Sequence, residues 1–170
     1  MKNKKFQNIK NQKIMGLFDK LKTNIQSEQS DQKFICLNEQ SAWLGILIAA
    51  ANVNHEISPI ETEKLGRIWV FKTFFNGHEM IFYYRPIFIY CNTYGSKMLV
   101  DSCAPLISEE NKGCVLCTVI DLISSDGIID ADEREIFEYI ANSLKVPEET
   151  SLKIIEVFEM YNKWNKRITF

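Results

Sequence analysis

Two stretches of this chain are apolar on every side, and each is followed by a stretch that is apolar on one side only. The first runs from Glu39 to Val53 and the second from Cys114 to Ser125, where Asp121 is the sole charge. A helix without a polar face belongs in the middle of a bundle. After the second run, Ile136, Phe137, Ile140, Ala141 and Leu144 recur at helical spacing, with Asp, Glu and Arg opposite. After the first run, Glu61–Phe74 plays the same part. Each unit therefore predicts a buried helix, a turn and an amphipathic helix.

The turns carry start signals. Asn38 is placed to cap the first buried helix. Ser58-Pro59-Ile60-Glu61 combines an N-cap, a proline at the first helical position and the glutamate of a capping box. Asp130 and Glu133 repeat that box, and Gly127 can take the left-handed conformation that ends the preceding helix. A shift of 72 residues lays Ala42–Trp69 over Cys114–Ala141, with matches at Leu44/Leu116, Ile48/Ile120, Ile57/Ile129 and Glu61/Glu133. The pattern reads as an internal duplication.

Between the units, Asn76-Gly77 breaks the first pattern and Glu79–Tyr90 follows. Ten of the twenty aromatic residues fall between Trp69 and Tyr94, and their local preference is for strand. No second strand exists for them to pair with, so a helix is expected, with the rings packed as a core between the two units. An aromatic-lined ligand pocket is the competing reading. Gly95–Ile107 predicts a shorter helix, and Ser108-Glu109-Glu110 is read as the start of the second buried helix. Val146-Pro147-Glu148-Glu149 opens a last helix with Leu152, Ile155, Phe158 and Tyr161 as its apolar positions.

Residues 1–33 differ in character. Lys, Asn and Gln dominate up to about residue 14, which predicts a flexible basic and polar segment. A short amphipathic helix follows, with Leu17, Phe18, Leu21 and Ile25 on one side. Packing on its own domain is the expectation there, ahead of peripheral membrane contact. Residues 34–170 form the helical domain. The apolar run Gln40–Asn54 is too short to span a bilayer. A net charge of −2 gives no reason to expect nucleic acid as a partner. Five cysteines in no disulfide framework, without a secretory signal, point to reduced thiols in the cytoplasm.

Candidate chemistry concentrates at the acidic turn. Asp126, Gly127, Ile129 and Glu133 fit four positions of a twelve-residue EF-hand loop, but Leu122 stands where the first carboxylate ligand belongs. The first copy has Ala50 there and His55 in place of the glycine. Neither copy is a working EF-hand. Capping accounts for Ser58, Glu61, Asp130 and Glu133. Yet Asp121, Asp126, Asp130, Asp132 and Glu133 crowd a dozen or so residues, and Glu61 and Glu133 could approach across a pseudo-two-fold axis. Such oxygen donors suit Ca²⁺, Mg²⁺ or Mn²⁺. Asp121, a charge on a buried helix, needs a partner. Cys114-Val-Leu-Cys117 places two thiols on one helix face, read as buried and inert. No nucleophile–base pair, P-loop or dinucleotide motif is present, and no enzyme activity is expected.

Asp126-Gly-Ile-Ile-Asp-Ala-Asp-Glu133, set between an apolar and an amphipathic helix, resembles the D-G-x-[IV]-x-x-x-E signature of the tellurite-resistance TerB family. The twofold repetition and the Met-Gly-Leu-Phe-Asp-Lys-Leu lead at Met15 resemble that family too. The resemblance, over about residues 37–158, implies an all-α bundle of about seven helices. It also implies a cytoplasmic stress-response protein with a weak divalent-cation site. Carried over, the site would use Asp126, Glu133 and Glu61, with Asp121 and Asp130 beside them. Asn54-His55 departs from the family's Asp-Gly. The alternative is a non-catalytic scaffold, with another protein as partner, that has lost the metal site.

Overall fold

In the computed structural model, residues 36–126 and 129–163 are described, apart from the side chain of Asp126. The amphipathic segment expected at Leu17–Ile25 and the turn glycine Gly127 lie outside the described residues. Seven α-helices and three short 3₁₀ turns make up the described fold, which contains no strand. The helices are α1 (Glu39–Ala51), α2 (Pro59–Phe71), α3 (Met80–Tyr94), α4 (Ser96–Cys103), α5 (Lys112–Ile123), α6 (Ala131–Ser143) and α7 (Glu148–Tyr161). The expected all-helical bundle is therefore what forms, and no helix is long and apolar enough to cross a membrane among the described residues.

α1 is the axis of the bundle. Eleven of its thirteen residues, Ser41 through Ala51, are buried. It packs against α3, α4, α5 and α6, so each of its sides meets a neighbour. Asn38 begins it with a reciprocal capping box: its side chain accepts from the Ser41 N–H, and Ser41 reaches back to the Asn38 backbone. Gly45 has a steric task. A Cβ there would overlap Cys103 Sγ on α4 and touch Leu99. Glycine costs a helix interior about 1 kcal/mol against alanine, and here it lets α4 lie close against α1.

α2 and α6 begin and end at matching positions: Pro59 and Ala131 open them, Phe71 and Ser143 close them, and each has thirteen residues and a complete capping box. α5 differs from expectation at its start. Ser108–Asn111 is a turn, and the helix begins at Lys112. The turn is held from α1, where Glu39 Oε1 accepts from Ser108 N at 2.8 Å, Ser108 Oγ at 2.7 Å and Asn111 Nδ2 at 3.0 Å.

The aromatic stretch is helical. Met80, Tyr84, Ile87 and Cys91 are the buried positions of α3, at helical spacing. Pro86 lies inside α3, so the Phe82 carbonyl loses its ladder donor without ending the helix. Part of the aromatic set joins the core, where Trp69 stacks on Phe75 at 4.3 Å and Trp43 meets Phe74 at 4.7 Å, while Tyr84 stacks on Phe88 at 5.6 Å farther along α3. Tyr83 joins them at 5.9 Å from Trp69, while Phe82 and Tyr94 stay exposed. The 3₁₀ turn Thr73–Phe75 that follows α2 is what brings Phe74 and Phe75 to Trp43 and Trp69.

α6 ends in a Schellman motif. Lys145 is left-handed at φ 57°, Val146 N donates to Ala141 O and Lys145 N to Asn142 O. α7 then packs chiefly on α5. Ile154, Ile155 and Phe158 are half-buried, but Leu152 and Tyr161, expected on that face, are 57% and 86% exposed. They flank the contact stripe instead of filling it.

Two outcomes test this architecture. Gly45→Ala lowers stability by roughly 1–3 kcal/mol, the usual cost of overpacking. Adding Cys103→Ala offsets that loss, so a double-mutant cycle in urea gives a coupling; simple additivity would remove the steric account. The second concerns Glu39. Burial pushes its carboxyl up, but the bonds from Asn111 and Ser108 outweigh this and hold it below the ordinary glutamate value. The stabilisation is then present above the unfolded-state value and lost as pH falls through the lower folded-state one. Glu39→Ala should cost about 1–3 kcal/mol near neutral pH. The gap to wild type should close at acid pH; an unchanged gap in urea melts at both pH values counts against the charged clamp.

Candidate functional site

The two turns that follow the buried helices lie side by side. Asn54, in the first, donates from Nδ2 to Asp130 Oδ2 in the second at 3.1 Å. A capping box closes each turn. In the first, Glu61 N donates to Ser58 Oγ at 3.2 Å and Ser58 N to Glu61 Oε2 at 2.8 Å. In the second, Glu133 N donates to Asp130 Oδ1 and Asp130 N to Glu133 Oε2, both at 2.9 Å. Glu61 is buried, whereas Asp130 is exposed. Asp130 thus uses one oxygen to start α6 and the other to hold the first turn.

His55 takes the left-handed conformation, with φ at 62°. This is the position at which the aligned second copy has Gly127. A histidine thus holds a backbone conformation that favours glycine, at the cost of about 1–2 kcal/mol of backbone strain. His55 borders a cavity of about 410 Å³, lined also by Tyr94, Lys97, Asp132 and Glu135. Lys97 and Glu135 form an ion pair at 2.6 Å across its rim, which raises the Lys97 pKa and lowers that of Glu135.

Asp121 is not a buried charge. Its side chain is 53% exposed and pairs with Lys64 of α2, Nζ to Oδ1 at 3.0 Å; Lys64 also donates to the Asp121 carbonyl. The pair ties α2 to the last turn of α5. Cys114 and Cys117 share that outward stripe and are exposed, which corrects the expectation of buried thiols. α5 buries Val115, Leu116, Thr118, Val119, Ile120, Leu122 and Ile123, and leaves one strip open. Small cysteines read as apolar in sequence, so the strip was masked there.

Five carboxylates were candidates for a cation: Glu61, Asp121, Asp126, Asp130 and Glu133. Four of them have the protein partners just given, and the side chain of Asp126 lies outside the described residues. Among the described residues, no group of three or more His, Cys, Asp or Glu side chains is placed to hold a metal ion. Three contacts escaped sequence reasoning: Asn54–Asp130, Lys64–Asp121 and the Glu39 clamp. All three join residues more than fifty positions apart, where no local pattern operates. No protein family, curated protein or solved structure matches this chain.

The exposed pair makes a simple check. Under native conditions a polar alkylating reagent should modify Cys114 and Cys117 while Cys91 and Cys103, both buried, stay protected. Partial burial and the neighbouring Cys114 hold the Cys117 thiol above the ordinary range, so its labelling should accelerate as the solution is made more alkaline. Mass mapping that finds Cys114 and Cys117 protected would contradict the placement of α5.

Proposed function

We propose that this chain is a non-catalytic helical interaction module, of TerB type and acting in a cytoplasmic stress response. The observation that carries this reading is the use already made of the acidic turns. Asp121, Asp130, Glu61 and Glu133 close caps, join turns and tie helices, which is structural work. The candidate contact surface is α7, which buries none of its residues and leaves Leu152, Val157, Met160 and Tyr161 exposed. It carries more apolar surface than its packing on α5 uses, and such surplus marks protein contact sites. The partner is accordingly another protein, with no nucleic acid.

A divalent-cation site is the second reading, and one observation favours it. The Asn54–Asp130 bond brings the two turns of the motif together, so donors from both lie on one side of the bundle. Asp126 would complete the set.

Melting curves with and without Ca²⁺, Mg²⁺ or Mn²⁺ separate the two. The interaction reading expects no shift in wild type at millimolar cation, and Glu133→Gln and Asp126→Asn within roughly 1 kcal/mol of wild type, since Gln still closes a capping box. A cation-dependent rise in Tm that both variants abolish would replace this reading with the metal site. Bound at a hundredfold excess over Kd, a cation stabilises by about 2.7 kcal/mol.

A further inference from the structure

We infer that Cys36 and Cys103 are a built thiol pair that hydrogen peroxide converts to an intramolecular disulfide, fastening the chain ahead of α1 to α4. Their sulfurs are 3.9 Å apart although the residues are 67 positions apart in sequence. The two differ in access: Cys36 is half-buried, and Cys103 is wholly enclosed. Ser41 Oγ stands 3.6 Å from Cys36 Sγ, so a capping residue of α1 also polarises the outer thiol. Gly45 faces Cys103 Sγ and offers no Cβ, leaving the sulfur room between the two helices. Closing to a disulfide bond length of about 2.05 Å needs a shift of about 1 Å by each sulfur.

The asymmetry assigns the roles. The hydrogen bond with Cys103 holds the Cys36 thiol below the ordinary range, against the opposing effect of partial burial. The same contact, with burial, pushes Cys103 well above it. Cys36 is therefore the sulfur that meets the oxidant as a thiolate. It attacks one peroxide oxygen, the O–O bond breaks, and hydroxide leaves and is protonated to water. The product is a sulfenic acid at Cys36. Cys103 sulfur then attacks Cys36 sulfur, and the sulfenic hydroxyl leaves as water with the Cys103 proton. One peroxide is reduced to two waters, and two thiols are oxidised to one disulfide. A cellular dithiol reductant would reverse the step.

The inference is independent of both readings of the acidic turns. Its test uses the full chain carrying Cys114→Ser and Cys117→Ser, which removes the exposed pair and keeps three of the five cysteines. After peroxide, thiols counted in denaturant should fall from three to one and return to three with dithiothreitol. Peptide mapping without reduction should find Cys36 joined to Cys103, and the oxidised form should melt above the reduced one, since the bond closes a long loop. Adding Cys36→Ser should leave two thiols before and after peroxide. An oxidation that stops at sulfinic acid on Cys36, a Cys91–Cys103 link instead, or an unchanged thiol count would each overturn the inference. The same mapping on the unsubstituted chain guards against a folding defect in the variants: a Cys36–Cys103 peptide is expected there also, and its absence counts against the pair.

Discussion

Everything in this fold depends on burying a helix that has no polar face. α1 cannot rest on a surface; it must be enclosed, and four other helices enclose it. That requirement sets the spacing of the bundle. α4 lies against α1 at position 45, and glycine there is what permits the contact. It also explains why the ends of α1 are so heavily tied. A helix buried along its length can satisfy its end groups only through caps and neighbours. Asn38 and Ser41 do this at the start, and Asn52 Nδ2 reaches Asn92 on α3 at 2.9 Å near the end. Glu39 uses the same first turn to fix where α5 begins.

The second buried helix meets the same problem and solves it less completely. α5 is enclosed except along the strip of Cys114, Cys117 and Asp121. Lys64 closes one end of the strip through its ion pair with Asp121. An exposed pair of this kind contributes at most about 1 kcal/mol, so its value is positional: it sets α2 against the end of α5. The adjoining turns are then held together by Asn54 and Asp130. Two weak polar contacts thus orient elements whose stability comes from the apolar core.

The sequence was legible where a rule is local. Ser58, Pro59, Glu61, Asp130 and Glu133 announce their helices by chemistry confined to four residues, and each cap forms as expected. The all-sided apolar runs announced burial for the same reason. A helix was expected at Glu79–Tyr90 only because no second strand was there to pair with it, against an aromatic content that argued for strand; the helical spacing of Met80, Tyr84, Ile87 and Cys91 shows in which residues the structure buries. What failed to show depends on neighbours distant in sequence. No local pattern says that Lys64 will reach Asp121, or that Phe74 and Phe75 will meet Trp43. Ser108-Glu109-Glu110 looked like a helix start because its residues suit one. Glu39, far along the chain, instead draws Ser108 and Asn111 into a turn. The apolar edges of α7 illustrate the same limit, since Leu152 and Tyr161 match the helical period but stay exposed among the described residues.

The caps also bound what the acidic turns can do as a cation site. A cation that drew in both Glu61 and Glu133 would compete with two backbone N–H groups, Ser58 N and Asp130 N, for the same oxygens. Losing a cap costs about 1 kcal/mol each, so recruiting both glutamates spends about 2 kcal/mol before any ion is held. At 1.4 kcal/mol per tenfold in affinity, that lowers apparent binding by roughly thirtyfold. A cation that used only the capping-free oxygens avoids the cost, but it then gathers fewer than the six to eight ligands that Ca²⁺ prefers. Either route leads to weak binding unless Asp126 and backbone carbonyls supply the balance. The physics of helix initiation and that of cation coordination call on the same carboxylates here, and helix initiation already holds them.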